Sequence, residues 1–259
     1  MKLKAFYFCL AGALIGISSC STQYEVTSVS RSRILIDSLY DRNPDKAATE
    51  FIAPYKAVVD SVMSPVMGHL AKNMSGERPE STLSNLLADI MVWAGRNYGE
   101  NPVLGVYNMG GIRASLSEGV VTYGDILEVA PFENRICFLT LKGDKLTELF
   151  EQMASVYGEG VSKGVEMVIT KDAKLKSVRL NGMPIDPEKD YRIATIDYLA
   201  EGNDRLEAFK SKTNLVAPEG EEHDSRYVIC NYFRAMEKEG KAVDSKIEGR
   251  VIVEGYEKE

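Results

Sequence analysis

Apolar positions along this chain follow two rhythms. Short alternating or unbroken apolar runs predict strands at 65–70, 103–107, 120–122, 135–141, 165–170, 174–180, 191–196 and 247–253, with a brief one at 33–36. Helical spacing runs over 45–63, where Ala47, Phe51, Tyr55, Val58 and Val62 share one side and Pro54 predicts a kink or break. It returns after Ser81 or Thr82 and extends to about Tyr98, with Leu83, Leu86, Leu87, Ile90, Met91 and Trp93 forming a broad apolar face. Further helices are expected at 123–129, 144–157 and 225–239. Lys171-Asp172 and Asn181-Gly182 join successive strands closely enough for hairpins. Strands that alternate with helices yet include hairpins predict an α/β fold, a single layered domain of mixed β-sheets flanked by helices.

The first twenty residues obey a different pattern. Lys2 and Lys4 precede an apolar stretch, Phe6 to Ile17, that is too short for a stable membrane span. Ile17-Ser18-Ser19-Cys20 resembles a bacterial lipobox. The expected organisation is therefore a lipoprotein signal peptide over 1–20 with lipidation at Cys20, a tether and short opening strand over 21–44, and the α/β domain over 45–259. The alternative is an ordinary secretory signal cleaved near Ser19. Ser21 carries no acidic retention signal, which favours the outer membrane of a Gram-negative cell envelope. Acyl chains would tether the protein without making it span.

Charge and cysteine content narrow the possibilities. With 31 basic and 38 acidic residues the formal charge is −7, and loss of Lys2 and Lys4 with the leader makes it more acidic. No basic run with interleaved aromatics is present, so nucleic acid is not an expected partner. Of the four cysteines, Cys9 leaves with the leader and Cys20 is taken by lipid. Cys137 and Cys230 remain, in a compartment where a disulfide is possible. Two buried free thiols is the preferred reading.

Two segments carry the candidate chemistry. Asn108-Met109-Gly110-Gly111-Ile112-Arg113 follows the strand at 103–107, with Pro131-Phe132-Glu133-Asn134 close behind, and Asp197 to Asp204 follows the strand at 191–196. Loops at strand ends are where α/β folds usually bind ligands. Gly110 and Gly111 suit either a simple turn or close approach of a ligand to the backbone. Arg113 has the fork geometry for phosphate or carboxylate. Phe132 is as readily a core residue at a strand start as a stacking ring, and Tyr198 is equally ambiguous. As a pair, they suit a clamp around a flat base. Asp204 fits two vicinal hydroxyls, or a helix cap.

Metal-dependent phosphoester chemistry needs several ligands around its ions. The two histidines, His69 and His223, have no partner at metal-ligand spacing. A P-loop, a Gly-x-Ser-x-Gly elbow and a Cys-x-x-Cys motif are also missing. No cofactor or metal is expected on this chain, and whether it is an enzyme by itself stays open.

The ordered motifs Leu83–Asp89, Asn108–Arg113, Gly119–Ile126, Pro131–Asn134, Leu141–Gly143 and Tyr191–Asp204 resemble the C-terminal domain of the 5′-nucleotidase family, over roughly residues 45 to 255. The resemblance implies an α/β unit that binds the nucleoside part of a nucleotide, while a separate metallophosphatase domain holds two metal ions and performs hydrolysis. It implies stacking by Phe132 and Tyr198, with Tyr198 standing where Phe is common. It implies base contacts from Asn108 and Asn134, a phosphate or ribose contact from Arg113, and ribose hydroxyl acceptance by Asp204. Three positions depart from the family pattern. Asn203 stands where a second Gly is frequent, Arg78 is offset by a residue from a family arginine, and Ser162-Lys163-Gly164 replaces a Ser-Gly step, so Arg78, Asn203 and Gly164 carry over weakly. Nothing before Asp45 reads as a metallophosphatase.

The expected function is thus a lipid-anchored nucleotide- or nucleoside-recognition subunit. It would act in nucleotide catabolism with a separately encoded metallophosphatase that carries the divalent metals. The alternatives are a non-catalytic surface nucleotide-binding protein and a relic retained as an interaction protein.

Overall fold

The computed structural model describes residues 25–39 and 42–255; the expected signal peptide and the expected lipidation site, Cys20, lie outside the described residues. The chain divides into two units, one ending at Phe51 and one running from Ile52. In the first, the expected strand at 33–36 is absent: these residues are exposed coil with no partner strand. A turn follows in which the Asp37 carboxylate accepts the Leu39 N–H. Helix α1 (Lys46–Met63) starts in this unit and continues through Pro54; of the expected kink or break, the break does not occur. The ring removes one backbone N–H, and the carbonyl it leaves belongs to exposed Glu50, where solvent can satisfy it. Among the described residues no helix is long and apolar enough to cross a membrane.

The second unit is the expected mixed α/β architecture. Its elements are β1 (Val66–Leu70), α2 (Thr82–Ala94), β2 (Leu104–Tyr107), β3 (Gly119–Thr122), α3 (Tyr123–Val129), β4 (Ile136–Lys142), α4 (Gly143–Ser155), β5 (Gly160–Val161), β6 (Val165–Ile169), β7 (Leu175–Leu180), β8 (Met183–Pro184), β9 (Asp190–Ile196), α5 (Asp197–Ala200), β10 (Thr213–Val216), α6 (Ser225–Lys238) and β11 (Val251–Val253). The main sheet has the order β10-β4-β9-β2-β5; a second sheet runs β11-β6-β7-β8, and β1 pairs with β3.

Ile136 to Leu141 of β4 are all buried, so this strand is covered on both faces. Helix α2 packs on β2, β5 and β9, and α4 on β4 and β9. Ser81 caps α2 as expected: its hydroxyl accepts the Ser84 N–H, and the Ser84 hydroxyl oxygen accepts the Ser81 N–H in return. Thr122 and Asp125 form the same kind of box at α3.

Strand β11 is shorter than the expected 247–253. The Glu248 N–H instead donates to Glu80, while the Arg250 carbonyl still accepts the Met167 N–H at 2.8 Å and the buried Arg250 guanidinium forks onto both oxygens of Asp89 at 2.8 Å. Short elements such as β5, β8 and β10 carry too few residues for a period to register, and none was expected.

The register of the main sheet positions the loops of interest. Strand β9 lies parallel to β2, with Leu104 opposite Ile193 and Gly105 opposite Ala194. It lies antiparallel to β4, with Ile136 opposite Ile196. The C-terminal ends of β2 and β9 and the start of β4 therefore meet at one end of the sheet. There the loops after Tyr107 and Ile196 and the segment before Ile136 are gathered together.

Cys137 on β4 and Cys230 on α6 are free and fully buried. Burial pushes their thiols up to about 12 and about 11, far from thiolate at neutral pH. Neither is expected to take up a maleimide at pH 7 in the folded protein, and both should do so in guanidinium; peptide mass spectrometry reads the labelling.

Candidate functional site

Asn108, Gly110, Gly111, Phe132, Asn134, Tyr198 and Asp204 line one cleft of about 200 Å3 at this end of the sheet. The first loop continues β2 into a single 3-10 turn, Met109–Gly111, closed by the Gly111 N–H to the Asn108 carbonyl at 3.1 Å. The second continues β9 into α5. Asp197 fixes its start: one carboxylate oxygen accepts the Tyr198 N–H at 2.8 Å and the Arg135 N–H at 3.1 Å. The Asn203 amide donates to the Tyr198 carbonyl at 2.8 Å and closes the loop from beyond.

Phe132 is 46% exposed and Tyr198 39%. Large aromatic rings this open, on opposite segments of one cleft, are not core residues. The Tyr198 hydroxyl donates to Asp204 Oδ1 at 2.9 Å, and this bond to a carboxylate raises its own pKa above the ordinary range. Asn108 Nδ2 donates to Asp204 Oδ2 at 2.7 Å. Asp204 thus bridges the two loops and is not a helix cap. With two of its roughly four acceptor positions used, it keeps capacity for two further donors. Asp204 and Arg205 both have left-handed backbones, with φ of 54° and 64°. Such a conformation costs non-glycine residues on the order of 1–3 kcal/mol each.

The two glycines differ in role. A Cβ on Gly111 would lie 2.5 Å from Asn108 Oδ1, whereas one on Gly110 would meet nothing closer than Asp204 Oδ2 at 3.6 Å. Gly111 lets the Asn108 amide lie over the backbone, and Gly110 presents bare backbone to the cleft.

Beneath the turn sits a residue that sequence reasoning missed. Glu159 is 2% exposed. Its Oε2 accepts the Met109 N–H at 2.5 Å, and its Oε1 accepts from the Arg78 guanidinium. Burial raises its pKa against the opposing pull of the Met109 N–H and Arg78. Arg78 also donates to the Gly158 carbonyl at 2.8 Å. The pair pins the Gly-Gly turn from below.

The remaining sequence-nominated residues lie outside the cleft lining. Arg113 is exposed, with its backbone N–H on Val129 and its guanidinium 3.4 Å from the Gly110 carbonyl. Arg78 lines a neighbouring cavity with Gly110 and Asp204. Gly164 belongs to the turn before β6, has φ of 96°, and lies under the Asn181 side chain. Arg205 lines the neighbouring cavity too and was not nominated.

The cleft can orient a flat, hydroxylated ligand, but the described residues do not fit a metal centre. Among them no three His, Cys, Asp or Glu side chains converge on a point where an ion could sit. His69 Nδ1 contacts Glu237 at 2.8 Å, and His223 Nδ1 contacts the Tyr98 hydroxyl at 3.0 Å.

Comparison with known proteins bears on this geometry. Residues 66–211 match the family model of the 5′-nucleotidase C-terminal domain. The chain is similar to Protein UshA of Yersinia enterocolitica, with 33% identity over 61% of this chain and 29% of that protein. It is also similar to the trifunctional nucleotide phosphoesterase protein YfkN of Bacillus subtilis, with 28% identity over 83% of this chain and 16% of that one. It thus spans less than a third of these relatives. A 5′-nucleotidase precursor from Thermus thermophilus superposes with a TM-score of 0.70 and 26% identity, over 82% of this chain and 44% of that one.

The two glycines give a direct test. Gly111→Ala must displace the Asn108 amide, so it is expected to lower unfolding free energy by about 1–3 kcal/mol. Gly110→Ala is expected to stay within about 0.5 kcal/mol of the parent. Urea denaturation followed by circular dichroism distinguishes them.

Proposed function

This chain belongs to the 5′-nucleotidase C-terminal domain family, and we propose that it is the nucleotide-recognition part of a 5′-nucleotidase-type hydrolase. A metallophosphatase encoded as a separate chain would supply the divalent metals and the attacking water. The carrying observation is the convergence of seven sequence-nominated residues on one cleft. Phe132 and Tyr198 would stack on the base, Asn134 would contact its edge, and Asp204 would accept ribose hydroxyls. Asn108 holds Asp204 in place. Such a chain accelerates hydrolysis by orienting substrate for the partner's chemistry, not by acting on the phosphorus itself. Anchoring through Cys20 would keep it at the cell envelope, on the outer membrane, where extracytoplasmic nucleotides arrive.

Calorimetry on the full chain with nucleoside monophosphates tests the cleft. Phe132→Ala and Tyr198→Ala are each expected to weaken binding about 5- to 150-fold, from roughly 1–3 kcal/mol per stacked ring. Unchanged affinity in both variants would sink the stacking assignment. Mixing the chain with a metallophosphatase encoded beside it should raise nucleotidase turnover above that of the phosphatase alone. Binding with no such gain would favour a non-catalytic surface nucleotide-binding protein.

A further inference from the structure

Next to the aromatic cleft lies a second cavity of about 240 Å3, lined by Arg78, Gly110, Val156, Glu159, Asp204 and Arg205. It shares Gly110 and Asp204 with the cleft, so a ligand seated between the rings has this cavity as its immediate neighbour. The charges lining it are unequally committed. Glu159 is taken up by Arg78 and the Met109 N–H, and Asp204 accepts from Tyr198 and Asn108. Arg205 makes no hydrogen bond or ion pair with any described residue. It is also held in a left-handed backbone conformation that glycine would adopt without strain. An exposed guanidinium at that position, beside a cavity and with no ion pair among the described residues, is available to an anion.

We propose that Arg205 is the side chain that recognises the phosphate of a ligand bound in the cleft, which makes the site selective for phosphorylated nucleosides over free ones. The inference rests on the nucleoside reading of the cleft and adds the group that reads its charge. Arg205 lies one residue beyond Asp204, so the ribose acceptor and the phosphate reader move as one turn. Arg113, by contrast, lines neither cavity.

The test is calorimetric, on the full chain, with adenosine 5′-monophosphate and adenosine as probes. The parent protein is expected to bind the monophosphate about tenfold or more tightly than adenosine, as a charge-assisted contact requires. Arg205→Gln should bring the two to within about twofold by weakening the monophosphate alone, and Arg205→Lys should keep part of the preference. Arg205→Gly keeps the left-handed turn and should lose the preference like Arg205→Gln, which separates the guanidinium from the backbone. A preference unchanged in Arg205→Gln, or equal binding of both probes by the parent, overturns the assignment while leaving the nucleoside site intact. Failure of the parent to bind either probe overturns the nucleoside reading and this inference with it.

Discussion

The carboxylate of Asp204 is the constraint on which the cleft depends. One oxygen takes the Tyr198 hydroxyl and the other the Asn108 amide, so a single side chain joins loops that are far apart in sequence. Hydrogen bonds to an ionised acceptor contribute about 1.5–3 kcal/mol. They also fix direction, because the tyrosine ring cannot swing out without breaking one of them. A phenylalanine at 198 would leave Asp204 with one tie in place of two. The tyrosine therefore exchanges rotational freedom of its ring for a better-fixed acceptor.

Beneath this bridge, Glu159 does for the backbone what Asp204 does for the side chains. Its two oxygens face opposite tasks: one holds the Met109 N–H, the other the Arg78 guanidinium. A buried carboxylate is costly unless both oxygens find donors, and here they do. The turn carrying Gly110 and Gly111 is consequently set from underneath.

Much of the fold was legible because the strands and helices are regular and their periods repeat over several residues. Strand β9 and helix α2 announce themselves by apolar spacing and by the Ser81 cap. Phe132, Tyr198 and Asp204 were legible as polar or aromatic residues in the loops that border apolar strand runs. The antiparallel register of β4 and β9 then gathers them, and the parallel pairing of β9 with β2 adds the Asn108 loop. Glu159 and Arg205 were not legible, for two different reasons. Glu159 sits between two glycines, Gly158 and Gly160, and its partners are distant in the chain, so no local pattern marks it as buried. Arg205 looks like any other surface charge until the shape around it is known. The strand expected at 33–36 failed for the opposite reason: its apolar residues are real, but no partner strand meets them. At 247–249 no ladder forms as the apolar pattern suggested; the Glu248 N–H goes to the Glu80 carboxylate and the Arg250 guanidinium to Asp89 of α2.

The outer strand of the main sheet has a colloidal consequence. Strand β10 pairs with β4 at Thr213 and Val216, with the register slipping between them, and all four of its residues are exposed. Asn214 sits at φ of 49°, and its carbonyl is already taken by the Arg192 guanidinium at 2.5 Å. A neighbouring molecule seeking to add a strand there would find a broken row of donors and acceptors, not a continuous template. The opposite border is closed by β5, which offers only two residues, both buried. The sheet thus ends on both sides in ways that resist lateral stacking. Crowding many copies together need not turn one molecule's rim into another's seed.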